Sequence, residues 1–183
     1  MTVPQARTRL LRSLRVVRRF DDRPIPDDVL GDVLEVARWT GTSKNTQPWH
    51  IVVVHERDTL QRLSRLGQFA SHVAGAKVAL VLVMESASNA FDCGRLAERV
   101  MLAAWAHGVG SCIGSIWGDG NEDKAKTLLG IPKERWLRQV ISLGYAADDD
   151  ATRSTKTAAA RAIRGRRPLD DLVSWERFGQ RRT

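Results

Sequence analysis

Only two cysteines occur in the 183 residues, Cys93 and Cys112, and neither stands in a C-x-x-C pair. Four histidines, His50, His55, His72 and His107, are scattered rather than clustered. A disulfide framework and a metal centre are therefore both unexpected, and the cysteines read as small buried hydrophobes. Long apolar runs are missing as well. The longest, VALVLVM from Val78 to Met84, falls far short of the roughly 20 residues that cross a bilayer. At the N-terminus, MTVPQARTRLLRSLRVV spreads arginines through its apolar positions, so a secretory signal is not expected and a cytoplasmic location is. No G-x-S-x-G elbow is present, which leaves hydrolytic chemistry unsupported. The run GVGSCIG, Gly108 to Gly114, has the spacing G-x-G-x-x-x-G and leads from a helix into a strand. A dinucleotide fingerprint needs a different spacing and the opposite order, because it aims a helix N-terminus at pyrophosphate.

What the chain does have is apolar content, 43%, enough for one sizeable core, and an excess of positive charge, +8. One domain spanning 1–183 is expected, with about 148–183 as an extended arm. The basic residues concentrate in RTRLLRSLRVVRR, Arg7 to Arg19, and in RAIRGRRP, Arg161 to Pro168. By charge alone, a solvated surface, a nucleic-acid patch and a small anionic cofactor site are all open.

Periodicity divides the chain into elements. Leu10, Leu11 and Leu14 share a helical face over about 4–14, and Val29, Leu30, Val33, Leu34 and Ala37 mark a second helix with Asp27 as its N-cap. A strand from His50 to Val54 and a helix from Asp58 to Leu66 follow. The run ending at Met84 is apolar on both faces and belongs in the centre of a sheet. Cys93, Leu96, Ala97, Val100, Met101 and Ala104 mark the longest helix, stopped by Gly108. Its small residues suit close helix packing or a dimer seam. GSCIGSIW reads as a strand or extended loop, NEDKAKTLLGIP as a short helix capped by Asn121, and LRQVISLGYA as a strand. This order implies an α+β fold with a small mixed or antiparallel sheet flanked by helices. After about residue 147 periodicity lapses until Leu169, Leu172, Val173 and Trp175, as in an arm that docks on a second subunit.

The segment LRVVRRFDDRPIPDDVLGDVLEVARWTGTSKNTQPWHIVVV resembles the N-terminal signature of the nitroreductase family, which runs approximately R-R-S-V-R-x-F, a helix, then P-S-x-x-N-x-Q-P-W and a strand. FDCGRLAERVMLAAWAHGVGSCIG is similar to the family's central helix and glycine-bearing strand. LLGIP, VISLGYA and RGRRPLDDLV match later landmarks in order. The likeness spans about Leu14 to Val173. Four positions depart from it: Leu14 stands where an arginine is frequent, Val16 where a serine is, and Gly41–Thr42 where Pro-Ser is usual.

The resemblance implies a nitroreductase-like homodimer with FMN at the subunit interface, NAD(P)H as electron donor and a small electron-poor acceptor, a nitroaromatic or quinone. No membrane or nucleic-acid partner is implied, and no dedicated catalytic side chain is needed. It also assigns residues. Arg15, Arg18, Arg164 and Arg166 match basic positions suited to the flavin phosphate, since guanidinium groups pair bidentately with it; Arg18 alternatively reaches the pyrimidine side. Ser43, Asn45 and Gln47 offer donors and acceptors to the ribityl chain and ring edge, in part across the dimer. Gln68 supplies an amide to the ring, and the backbone of Ile113, Gly114 and Ser115 passes the reactive edge. Trp117 is a candidate for stacking on substrate. Alternatives of the same fold are dehalogenation, ring reduction or flavin modification. A non-enzymatic flavin- or nucleic-acid-binding protein is the alternative from another class.

Overall fold

In the computed structural model of the chain, residues 3–147 and 166–181 are described. They belong to two units, one ending at Ala151 and one beginning at Thr152. The first holds five helices and four strands: α1 (Val3–Ser13), α2 (Asp27–Arg38), β1 (Trp49–Val54), α3 (Arg57–Ser64), β2 (Val78–Met84), α4 (Ala90–Ala106), β3 (Gly110–Ser115), α5 (Asn121–Leu129) and β4 (Trp136–Gly144).

All seven residues of β2 are buried, and the strand lies inside a sheet of order β1-β2-β4-β3. Every pairing in that sheet is antiparallel, which removes the mixed alternative. β2 is apolar throughout because both of its faces are covered. Leu80, Leu82 and Met84, with Ile141 and Leu143 of β4, face α2 and α4 through Val33, Ala37, Leu96, Val100 and Ala104. Ala79, Val81 and Val83, with Leu137 and Val140, face Leu60 and Leu63 of α3, Ala125 of α5 and the short turn carrying Val73. Burying each such leucine contributes ~1.5–3 kcal/mol relative to exposure.

Element ends follow local chemistry. Gly108 adopts φ 72°, and beyond α4 its N–H donates to Trp105 O at 3.0 Å while Val109 N–H donates to Ala104 O at 2.9 Å. This left-handed cap satisfies two orphan carbonyls of the last turn. Two expected N-caps shift by one residue. Pro26 caps α2, and Asp27 sits in its first turn, where a carboxylate suits the positive helix end. Gly120 caps α5; Asn121 instead donates from Nδ2 to Trp117 O at 2.9 Å.

A stretch without secondary structure of its own, residues 14–21, lies along the outer edge of β3 and continues past the end of β4. Val16 bridges Ser111 and Phe20 bridges Ala146. Glycines make this approach possible, since a β-carbon on Gly110 would stand 2.7 Å from Val17 and one on Gly144 2.8 Å from Phe20. The second unit, over 166–181, has one 3-10 turn at Leu169–Asp171 and exposes Leu169, Leu172, Val173, Trp175 and Phe178. Among the described residues no helix is long and apolar enough to cross a membrane.

Candidate functional site

The expected site residues of the first unit form two groups. The first gathers on β3. Ser111, Ile113 and Ser115 alternate with Gly110, Cys112 and Gly114 along the strand. Ile113 is 39% exposed, although it pairs with the fully buried Ile141, so the strand presents an open apolar spot on the α4 side. At its far end Gly67 closes on the backbone: a β-carbon there would lie 2.0 Å from Ser115 O. Gln68, the next residue, is thereby carried to the end of β3. Arg15 and Arg18 flank the segment that bridges Ser111, and both are exposed. The Arg15 guanidinium donates to Arg12 O and Leu14 O at 3.0 and 2.8 Å. The positive charge of Arg18 acts on His72, the ring that lies against Gly114.

The second group is the loop between α2 and β1. Ser43, Asn45 and Gln47 are all exposed, in a 3-10 turn at Ser43–Asn45. Lys44, Asn45 and Gln47 have φ of 52°, 55° and 48°, a conformation that costs a residue other than glycine about 1 kcal/mol or more. Thr42 holds the loop by accepting the Gln47 N–H at its Oγ1, 3.1 Å, and Gln47 Nε2 donates to Asn45 Oδ1 at 3.3 Å. Strain here lies after Gly41 rather than at it. Gly41 makes room for Arg95, whose Nη2 would be 3.1 Å from an added β-carbon.

The loop and the Ser115 end of β3 sit at the same end of the sheet but on opposite edges, whereas Arg15 and Arg18 flank Val16 beside Ser111, near the start of β3. Ile51 pairs with Leu82, Leu82 with Gln139, and Gln139 with Ser115, so a single row of residues crosses from β1 to the end of β3. Three strand spacings make that row ~14 Å long. Of the remaining expected residues, Arg166 is exposed in the second unit, and Arg164 lies outside the described residues.

Several neighbours carry no local sequence signal. His72 is buried beneath β3, with Nδ1 2.7 Å from Ser142 Oγ; the only hint is Ser142 itself, a hydroxyl inside the apolar run VISLG, which needs a partner. Burial, then the charge of Arg18, lowers the His72 pKa. Cys93 Sγ lies 3.5 Å from Gln139 Oε1, and burial pushes its thiol up to about 11. It is a protonated donor rather than a nucleophile. Trp117 is 56% exposed, with the Arg138 guanidinium 3.5 Å from its ring centroid.

Comparison with known proteins decides the family. The model of the nitroreductase family matches residues 11–87 and 70–145. A protein of Archaeoglobus fulgidus, provisionally named NADH dehydrogenase/NAD(P)H nitroreductase, is 30% identical over 149 residues, 77% of this chain and 86% of that protein. The chain belongs to the nitroreductase family. A second relative within it, nitroreductase NfnB of Mycolicibacterium smegmatis, is 26% identical over 211 residues, covering 85% of this chain and 89% of its own. Among solved structures, an FMN-dependent nitroreductase of Clostridium difficile superposes with a TM-score of 0.70 at 22% identity, over 81% of this chain and 95% of that one. A nitroreductase-type protein of Desulfovibrio desulfuricans, solved in complex with FMN, gives 0.70 at 23% identity over 93% and 96%. These likenesses establish the nitroreductase fold for this member, an α+β oxidoreductase.

Proposed function

We propose that the chain is an FMN-dependent oxidoreductase, active as a homodimer, that passes hydride from NAD(P)H to an electron-poor organic acceptor such as a nitroaromatic or quinone. One observation carries the reading. Two sets of groups suited to a flavin, the loop carrying Ser43 and Asn45 and the end of β3 with Gln68, lie on opposite edges at one end of the sheet, a split that a second copy of the chain would close.

The donor set fits FMN. Arg15 and Arg18 offer guanidinium groups of the kind that a phosphate dianion requires, and Arg164 and Arg166 are separate candidates for the same role. Ser43 and Asn45 of one copy would bind ribityl hydroxyls and the ring edge, held ready by the bond from Gln47 N–H to Thr42 Oγ1. Ile113 of the other copy would lie against the ring, with the backbone of Gly114 and Ser115 and the amide of Gln68 beside it. Arg18 would stabilise negative charge on the pyrimidine side. When bound, FMN supplies the redox chemistry, taking hydride from one ligand and giving it to the next. The protein orients the ring, excludes water and sets the local charge.

Relatives named for NADH or NAD(P)H and a fold neighbour solved with FMN support the choice of cofactor and donor. Steady-state reduction of nitroaromatics and quinones by the FMN-loaded protein, with NADH and NADPH in turn, tests it. Turnover with at least one pair is expected. A protein that stays colourless after incubation with FMN would overturn the reading.

A further inference from the structure

The imidazole of His72 is 8% exposed and belongs to no element that the proposed chemistry uses. Its Nδ1 lies 2.7 Å from Ser142 Oγ, and the same hydroxyl reaches Cys112 O at 3.2 Å, so contacts run from the ring through the hydroxyl to the carbonyl of Cys112. Nε2 is buried without a partner in full hydrogen-bond geometry, although the backbone of Phe69 and Ile113 acts on the ring, and it lies directly under Gly114, 3.1 Å from where a β-carbon would stand.

The geometry points to His72 as a positioning residue: acting through Ser142, it ties the turn at Ser71–Gly75 to the backbone of β3 and forms the floor under Gly114. The tie crosses β4, because Ser142 and Cys112 are register partners on neighbouring strands. Its target is the stretch that would line the flavin, and in that respect the inference rests on the flavin reading. A ring that only filled space would be replaced without loss by an apolar side chain. A ring that works through the Nδ1 contact would be replaced by an amide, which reaches nearly the same place and can donate or accept there.

Hydrogen exchange of the β3 amides, measured on the flavin-free protein, separates these roles. In His72→Leu, exchange over 112–115 should rise about tenfold, the equivalent of one net hydrogen bond, while His72→Asn should restore protection. Should the leucine variant fail to fold, Ser142→Ala removes the same tie with the ring retained, and the same rise is expected. Equal protection in the leucine variant and the parent, or no advantage of asparagine over leucine, would overturn the assignment. FMN uptake by the parent is recorded alongside, so loosened exchange in a protein that takes up no flavin would sink the flavin reading and leave the tie standing.

Discussion

Gly67 approaches Ser115 so closely that a β-carbon on the glycine would stand 2.0 Å from the serine carbonyl oxygen. The opposing atom is backbone, so no rotamer change relieves the contact. Gly67→Ala should therefore destabilise the protein by about 2 kcal/mol or more, read as a lower denaturant midpoint. FMN affinity should fall with it, because the same contact carries Gln68 to the end of β3. An alanine variant with unchanged midpoint would mean that this approach is not made.

Gly114 gives a graded comparison. An added β-carbon there would meet His72 Nε2 at 3.1 Å, which a small shift of the ring could absorb, and backbone Ala70 Cα at 3.3 Å, which needs the turn to give by a few tenths of an ångström. The cost of Gly114→Ala should be nearer 1 kcal/mol. In His72→Asn it should shrink further, and a double-mutant cycle measures the coupling.

Stability should depend on pH through His72. The buried ring resists a proton that the unfolded chain accepts at the ordinary value of 6.5. Stability is thus fully present above that value and is lost as pH falls below it, until the folded ring titrates. Asp22, held low by Lys77, and Glu35, held at about 2 by Arg38 and Trp39, act only in the carboxylate range. Unfolding midpoints in steps from pH 7 to pH 5 should decline in the parent and be flatter in His72→Asn. Equal slopes would contradict this.

Much of this fold can be read locally. Helical stripes such as Val33 with Ala37, and the doubly covered run Val78–Met84, announce their elements because burial and periodicity are properties of neighbouring residues. Cap positions are read less well: Asp27 and Asn121 have the chemistry of N-caps, but Pro26 and Gly120 have the backbone geometry. Strand order is not legible at all. Nothing near Trp49 or Ser115 says that they lie on opposite edges, since antiparallel pairing joins residues far apart in sequence. For the same reason His72 passes as one histidine in a short polar segment, although Ser142 waits for it on a distant strand. The strain at Lys44 is also invisible, since a lysine carries no signal for positive φ.

The split site predicts complementation. A Ser43→Ala/Asn45→Ala variant and an Arg15→Ala/Arg18→Ala variant, all four side chains being exposed, should each lose FMN by about tenfold or more. Co-expressed, they should form mixed dimers in which one site has both intact halves, recovering tight FMN binding. No recovery in a verified mixed dimer would place all four residues around one site in the same chain.

The central claim is that this chain holds FMN and reduces it with a nicotinamide donor. Anaerobic titration of the purified, FMN-loaded protein with NADH and with NADPH tests it most directly, followed through the visible absorption of the flavin. One FMN retained per chain and bleaching by one equivalent of at least one donor is the predicted result. Failure to retain FMN, or a bound flavin that neither donor bleaches, would contradict it.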